Sequence, residues 1–594
     1  MRHVFLGLLA STAIVTQAYA QQAADAVAPE AATSGVFDTL SPAVAASLDA
    51  KMADRPVEAE NWMIAAANPH AVEAGAEVLR AGGTAADAMV AVQVVLGLVE
   101  PQSSGLGGGA FLVWYDAESG KLTTLDGRET APLAATPTLF QDENGEPLKF
   151  FDAVVGGRSV GTPGTPALMA EAHRRWGRAE WATLFEAGTK LAKDGFNVSP
   201  RLASLIERDA DRLSRFPRTA DYFFPDGIAL QAGDLLTNDE YAHTLGVLAE
   251  KGGEGFYFGR IADEVVGAVT HAPGNPGVLS MLDMAVYQVK EREPVCVEYR
   301  SFDVCGMGPP SSGALTVGQI LGMVGEYDLA ALGADNPESW RLIGDASRLA
   351  FADRGRYMAD SDYVPMPTSG LVDDEYLTQR ATLLSGDEAL SEVAPGSPEF
   401  DHALWADDES IELPSTSHIS IVDQYGNVLS MTTTIENAFG SRLMVHGFLL
   451  NNELTDFSFR SHRDGVPIAN RLEPGKRPRS SMAPTIVMKE GKPVMAIGSP
   501  GGSRIIGYVA SSIIAWADWG LNVQQAISLP HAVNRFGKYD LEEGTDAEML
   551  EETLTQIGYE VSLRGLNSGL HAIEIGDGLK GAADPRREGI ALGE

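Results

Sequence analysis

The sequence predicts an α+β fold in which two β-sheets lie between layers of helix, and three features of its patterning predict it. Residues 62 to 125 read strand, helix, helix, strand, strand. A long middle section, from about residue 166 to 384, is mostly helical by periodicity. After a polar, acidic stretch from Gly386 to Glu412, the period changes to two and β-branched residues dominate. Two sheets packed between helical layers account for that order, and 594 residues with 44% apolar side chains suffice to bury such a core.

The elements follow in order. Trp62 to Ala66 is a buried strand, and Asn68 with Pro69 supplies the N-cap and first residue of a helix that stops at Gly82-Gly83. Thr84 and Asp87 form a capping box for a second, apolar helix through Leu98, which Glu100-Pro101 ends. Phe111 to Tyr115 and Leu122 to Leu125 are strands. Residues 295 to 305 interrupt the helical middle with a hairpin. The acidic stretch that follows suits an exposed loop. Beyond it come the strands SHISIVD, NVLSMTTTI, GFLLNN, TIVMK and PVMAIGS, helices at Gly507 to Trp519 and Asp546 to Ile557, and strands at Glu560 to Leu563 and His571 to Ile575.

Composition narrows the function classes. Lys and Arg number 44 against 81 Asp and Glu, a net charge of −37, which repels nucleic acid and anionic membranes and argues against both as partners. Arg2 and His3, the apolar run from Val4 to Val15, and Ala18-Tyr19-Ala20 predict a signal peptide over residues 1–20 and a periplasmic or secreted protein. Residues 21–56 are Ala-rich with few large side chains and are expected to form a leader that buries little surface. No other segment supplies the roughly 18 apolar residues of a membrane span. Cys296 and Cys305 are the only cysteines, and their spacing matches no zinc ligand set. A two-residue turn at Arg300-Ser301 places them face to face, either as a disulfide or as two buried thiols. The eleven histidines show no HExxH pattern, and no metal is expected.

Three motifs are candidates for chemistry. GLGGGA from Gly105 matches a dinucleotide fingerprint, but a helix precedes it and a strand follows, the reverse of a phosphate site; close backbone packing or an active-site wall is the better reading. GRSVG offers Ser159 as the serine of a nucleophile elbow, yet Pro163 and Pro166 delay the helix that an elbow needs at once. In STSHISIVDQYGNVLSMTTTIE, two strands flank the three-residue loop Gln424-Tyr425-Gly426, with glycine at the left-handed position. Pairing Asp423 with Asn427 sets Thr416 opposite Thr434, with Glu436 two residues further along the same face. Facing threonines are good sheet formers, so this pattern alone carries no catalytic meaning.

Further segments stand with these in one sequence order: VEPQSSGLGGGAF, LDGRETAP, GPPSSG, FADRGRYMADSDYV, TSHISIVDQYGN, LLNNELTDFS, KRPRSSMAPT, GSPGGSRII and ADPRREG. In this set and order the chain, from about Asn61 to Gly589, resembles the γ-glutamyltranspeptidase family of N-terminal-nucleophile hydrolases. The resemblance implies a four-layer αββα sandwich and a precursor that cuts itself between Ser415 and Thr416. The products are a large subunit, residues 57–415 behind the leader, and a small subunit, residues 416–594.

The same resemblance implies roles. Thr416 is the nucleophile, and its freed α-amine, with an ordinary pKa of about 7.7–8.0, accepts the hydroxyl proton near neutral pH. Thr434 positions it. Arg128, helped by Ser480 and Ser481, takes the glutamyl α-carboxylate, for which a guanidinium fork is suited. Glu436, Glu453 and Asp456 take the α-ammonium, and the backbone of Gly501 and Gly502 receives the oxyanion. Taken singly, Arg128 reads as a surface ion pair, the glycines as a tight turn and the serines as a helix cap. No cofactor is implied; the partners are glutathione and other γ-glutamyl compounds, with water, amino acids or peptides as acceptors.

Two departures bear on specificity. Position 436 is Glu where many relatives have Asn, which is expected to keep ammonium binding and to alter either the pH dependence or the preference for the acyl group. Residues 457–479 form a shorter segment than in relatives with a lid loop, which predicts a more open site. An open site also resembles that of the cephalosporin acylases, but Asp456 argues against a glutaryl substrate, which has no ammonium to meet it. A non-catalytic binding protein on the same fold requires damage at the nucleophile or the carboxylate clamp, and the sequence shows none.

Overall fold

Fourteen strands pair into two antiparallel seven-stranded sheets in the computed structural model, which describes residues 41–400, 404–408, 410 and 412–594. From edge to edge the first sheet runs Val57–Ala59, Gly578–Ala583, His571–Gly576, Lys492–Gly498, Thr485–Lys489, Phe302–Gly306 and Val295–Tyr299. The second runs Ile590–Gly593, Met63–Ala66, Ser417–Val422, Val428–Thr434, Gly109–Asp116, Lys121–Gly127 and Lys290–Arg292.

Alternation along these strands divides the interior into three apolar layers. Met63, Val113, Val422 and Val428 of the second sheet meet Ile486, Ala496 and Ile573 of the first. On its other face the second sheet turns Ile64, Leu112, Ile419 and Leu429 toward helices Pro69–Arg80, Ala85–Val99 and Thr165–Trp176. The outer face of the first sheet packs Val297, Val304, Val487 and Ile497 against helices Gly313–Gly325, Pro337–Tyr357 and Ile505–Ala517. This is the αββα sandwich. Each such side chain matters, since truncating one buried leucine or isoleucine to alanine costs about 2–5 kcal/mol.

The central hairpin has the expected register. Ser417 pairs with Thr433 and Val422 with Val428, which continues to Thr416 opposite Thr434. Gly426 holds the left-handed turn at φ 84°. Asp423 makes the turn rigid: one carboxylate oxygen accepts from the backbone of Tyr425 and Asn427, and the other from Ala85 N at 2.9 Å. The hairpin is thereby fastened to the first residue of helix Ala85–Val99, whose Thr84–Asp87 capping box is present as predicted.

Cys296 and Cys305 face each other across their hairpin and are joined by a disulfide. No helix among the described residues is long and apolar enough to cross a membrane. The predicted signal peptide lies outside the described residues, as does the leader up to residue 40. The rest of the leader departs from expectation. Pro42–Met52 is a helix capped by Ser41, and it docks against the edge strand Ile590–Gly593. Lys51 Nζ donates to the carbonyls of Arg587 and Gly589 at 2.8 and 2.7 Å, and Ala591 N donates to Ser47 Oγ. Covering a sheet edge satisfies backbone groups that would otherwise recruit another strand. Composition hid this because few large side chains are involved. The strands Gly578–Ala583 and Ile590–Gly593 were not anticipated either; their small residues give little alternation.

Candidate active site

Two backbone features fix the end of the central hairpin. A Cβ on Gly108 would stand 2.0 Å from Thr434 O, and one on Gly107 would stand 2.1 Å from Leu449 O, so only glycine permits these approaches. The GLGGGA segment is therefore a wall against the hairpin end. Just before it, the loop after helix Ala85–Val99 receives both neighbours of Thr416. Ser415 Oγ donates to Gln102 O at 2.7 Å, and Ser417 Oγ donates to Glu100 Oε2 at 3.0 Å. Arg587 Nη1 donates to Thr416 O at 3.2 Å.

So held, Thr416 is buried, with its hydroxyl against the carbonyl oxygen of Ser415 and 3.3 Å from Thr434 Oγ1. Thr434 Oγ1 donates to the same carbonyl at 2.9 Å and accepts from Glu436 N at 2.9 Å. Two hydroxyls thus converge on one peptide oxygen, the one between Ser415 and Thr416.

The charged groups lie in the same cavity. Glu453–Asp456 is a single 3₁₀ turn, in which residues three apart eclipse, so both carboxylates reach one partner. That partner is Arg128: Nη1 donates to Glu453 and Nη2 donates to Asp456 at 2.5 Å, while Nε and Nη2 also reach the carbonyls of Pro478 and Arg479. Glu436 completes the group from beyond the hairpin. It is not on the strand face as the alternation predicted; the chain turns at φ 74°, and its carboxylate accepts from Asn452 Nδ2 and from Leu413 N at 3.3 Å. A left-handed glutamate is uncommon and stores strain, here at a buried carboxylate.

One guanidinium faces more acid than it can neutralise. Burial first, and then mutual repulsion, push Glu436, Glu453 and Asp456 well above the ordinary carboxyl range. Glu129, the residue after Arg128, lies fully buried beside Glu453, and neither of its oxygens has a hydrogen-bond partner. Burial pushes its carboxyl up to about 8 against the pull of Arg128. Glu453 Oε2 is likewise without a partner.

The chain before Thr416 occupies the remaining space. Glu412, expected in an exposed loop, is instead buried, and accepts from Ser481 Oγ and Arg354 Nη2 with Arg479 Nη2 at 3.5 Å. Burial opposes its charge, but the two arginines outweigh burial and hold its carboxyl down to about 2. The cavity left between these groups is ≈ 20 Å³, room for about one water.

Arg128, Ser415, Thr416, Thr434, Glu436, Glu453, Asp456, Ser480, Ser481 and Gly502 all line that cavity. Gly501 does not; it lies behind, against the ring of Tyr508. Ser159 is also elsewhere, its hydroxyl donating to Val154 O at 2.6 Å within a 3₁₀ turn, so there is no elbow. Sequence reading missed Glu129, Arg354, Glu412, Arg479 and Arg587. For Glu129, Arg354, Arg479 and Arg587 the signal was charge inside the motifs LDGRETAP, FADRGRY, KRPRSS and ADPRREG, where an exposed role is the default expectation; Glu412, in the acidic stretch, carried no such signal.

The model of the γ-glutamyltranspeptidase family matches residues 71–594. The chain belongs to that family. Among curated members, the glutathione hydrolase proenzyme of Bacillus subtilis is 35% identical over 548 residues, covering 90% of this chain and 92% of that one. The acylase ACY 1 proenzyme of Pseudomonas sp. strain SE83 is 31% identical over 547 residues, covering 91% and 94%. Among solved structures, the cephalosporin acylase of Bacillus halodurans superposes with a TM-score of 0.80 at 26% identity, covering 91% of this chain and 97% of that one. The γ-glutamyltranspeptidase family thus accounts for the fold and for an enzyme of this class, and includes both hydrolases and acylases among its relatives.

Proposed function

We propose that the protein is a self-processing γ-glutamyltransferase acting on glutathione and related γ-glutamyl compounds. The observation that carries this reading is the placement of Arg128, Glu436, Glu453 and Asp456 around one cavity with Thr416. A γ-glutamyl group ends in an α-carboxylate and an α-ammonium. An arginine alternating with carboxylates matches that zwitterion, and the ammonium relieves the surplus of acid.

Processing begins with the two hydroxyls at the Ser415 carbonyl. Thr416 Oγ1 attacks the carbonyl carbon, Thr434 donates to the oxygen as it gains charge, and the C–N bond breaks as the nitrogen takes the hydroxyl proton. Water then hydrolyses the Ser415 ester and leaves Thr416 with a free α-amine. Departure of residues 412–415 vacates the cavity. In turnover that amine takes the proton of Oγ1 as it attacks the γ-amide, returns it to the leaving amine, and a γ-glutamyl ester remains for water or an acceptor amine. In turnover the backbone N–H groups of Gly501 and Gly502 receive the oxyanion, a reading supported by Gly502 lining the cavity.

A glutaryl acylase is the second reading, favoured by the structural likeness to the B. halodurans acylase. A glutaryl group brings no second cation to the three carboxylates that share Arg128, and burying that surplus of acid is costly. Mass spectrometry of the purified chain, with release from paired γ-glutamyl and glutaryl anilides, decides the matter. We expect a residue 416–594 fragment and faster γ-glutamyl release; an uncut chain, or faster glutaryl release, overturns the reading.

A further inference from the structure

The chain just before the predicted cut imitates a substrate. Glu412 and Leu413 stand in the cavity that also holds Arg128, Glu436 and Ser481. The Glu412 carboxylate accepts from Ser481 Oγ, which the family resemblance gives to the substrate's α-carboxylate. One residue on, Leu413 N donates at 3.3 Å to Glu436, which the same resemblance gives to the α-ammonium. A carboxylate and an N–H on neighbouring residues thus meet the two halves of a site suited to a zwitterion. The chain's own carboxylate marks where that of a ligand is held.

The cation on that carboxylate is not Arg128, whose guanidinium is engaged by Glu453, Asp456 and the carbonyls of Pro478 and Arg479. It is Arg354, whose Nη2 donates to Glu412 and, at 2.7 Å, to Ser481 Oγ. Arg354 comes from the last turn of helix Pro337–Tyr357 and is 3% exposed. Its Nε donates to Ser312 Oγ at 2.8 Å, and Ser312 Oγ donates to Ser480 O at 2.7 Å. The GPPSSG motif therefore fixes this guanidinium against Ser480 and Ser481, a rigid fork at a carboxylate. Arg479 also reaches Glu412, at 3.5 Å, but has Asp408 at 2.9 Å. Among the described residues, Glu412 is the only carboxylate in ion-pair contact with Arg354. Burial, and then repulsion by Arg479, already pull Arg354 down to about 10 with Glu412 in place. When residues 412–415 leave, the seat needs another anion.

We propose that Arg354 is a specificity-determining residue: with Ser481 it forms the seat that Glu412 fills before the cut and that the α-carboxylate of the γ-glutamyl group takes afterwards. The proposal rests on the γ-glutamyl reading and adds a second arginine to it. Arg128 joins the acids to the carboxylate side of the site, and Arg354 supplies the charge that Arg128, shared with Glu453 and Asp456, lacks.

The test uses the cut enzyme and two donors that differ by one group: γ-glutamyl anilide, and 4-aminobutyryl anilide, which keeps the ammonium and lacks the α-carboxylate. Arg354→Gln is expected to lower kcat/KM for the γ-glutamyl donor by at least about tenfold, through KM, and to change 4-aminobutyryl release by less than about twofold. Arg354→Lys, which keeps the charge without the fork, should lie between. Because Arg354 also seats Glu412, rates are referred to the cut fraction found by mass spectrometry. A second measurement needs no change at Arg354. By calorimetry, L-glutamate is expected to bind the cut enzyme and not the uncut Thr416→Ala chain, in which Glu412 keeps the seat. Equal loss on both donors, an unchanged KM for the γ-glutamyl donor, or equal binding of L-glutamate to the cut and uncut chains overturns the shared seat. Each of these results leaves the γ-glutamyl reading intact; that reading falls instead if wild type stays uncut or releases glutaryl anilide faster.

Discussion

The hydroxyl of Thr434 donates to the carbonyl oxygen of Ser415 at 2.9 Å, which polarises the bond predicted to break. A threonine in a strand is ordinary; here its hydroxyl reaches a carbonyl that a second hydroxyl also meets, which fits the proposed self-cleavage. Thr434→Val keeps the shape and removes that donor. Loss of one oxyanion donor costs about 10²–10³ in rate, so self-cleavage followed by mass spectrometry should slow by that factor while the melting temperature changes little. Cleavage at the wild-type rate would show that the hydroxyl is structural.

Glu436 should impose a pH limb on substrate affinity. Its carboxyl is raised, first by burial and then by Asp456, so it gains the charge that an ammonium wants only at a higher pH than an ordinary carboxyl does. KM for a γ-glutamyl donor should therefore fall with increasing pH through this group. Glu436→Asn should remove that limb, and should also relieve strain, since asparagine tolerates φ 74° better than glutamate. An unchanged KM–pH profile contradicts the assignment.

Asp456→Asn should separate the two acyl readings. It leaves Arg128 with Glu453 alone and removes a buried charge facing the substrate ammonium. Breaking a buried charge pair of this kind costs about 2–5 kcal/mol. The kcat/KM for γ-glutamyl anilide is expected to drop by at least tenfold, with glutaryl anilide gaining relative to it. Parallel loss on both substrates would mean that Asp456 serves the scaffold.

Glu129 makes the fold sensitive to alkali. Its folded pKa is about 8 against an unfolded value near 4.5, so the folded state binds this proton more tightly. The contribution is fully present below pH 4.5 and is lost as pH rises through 8. Glu129→Gln, which mimics the protonated form, should match wild type in acid and exceed it above pH 8, by an amount on the order of a few kcal/mol. Urea melts at the two pH values measure the difference; an equal offset at both excludes a titrating role.

The register of the central hairpin was legible because a single glycine and a two-residue period leave one pairing that buries both faces. The facing of Thr416 and Thr434, the capping box at Thr84 and the facing cysteines all follow from such local rules. The charged interior did not. Glu412 enters the site from a stretch whose composition is that of an exposed loop, and only the distant arginines Arg354 and Arg479 explain why a buried carboxylate is stable there. Glu436 departs from the strand face through a left-handed turn that no period foretells. Helix Pro42–Met52 was hidden for a third reason: its cap and proline were present, but it is held mainly by backbone acceptors for Lys51 rather than by an apolar stripe.

Both sheets draw strands from either side of residue 415. In the second, Ser417–Val422 lies between Met63–Ala66 and Val428–Thr434, and the first interposes four strands of the later segment between Val57–Ala59 and Phe302–Gly306. A cut at that point releases no domain, because neither product owns a complete sheet. What changes is the return path. Before the cut, an unfolded chain can refold by itself; afterwards two chains must find each other and interleave fourteen strands. The proposed processing is in this sense a kinetic point of no return, after which the lifetime of the cut protein is set by its unfolding rate rather than by a folding equilibrium.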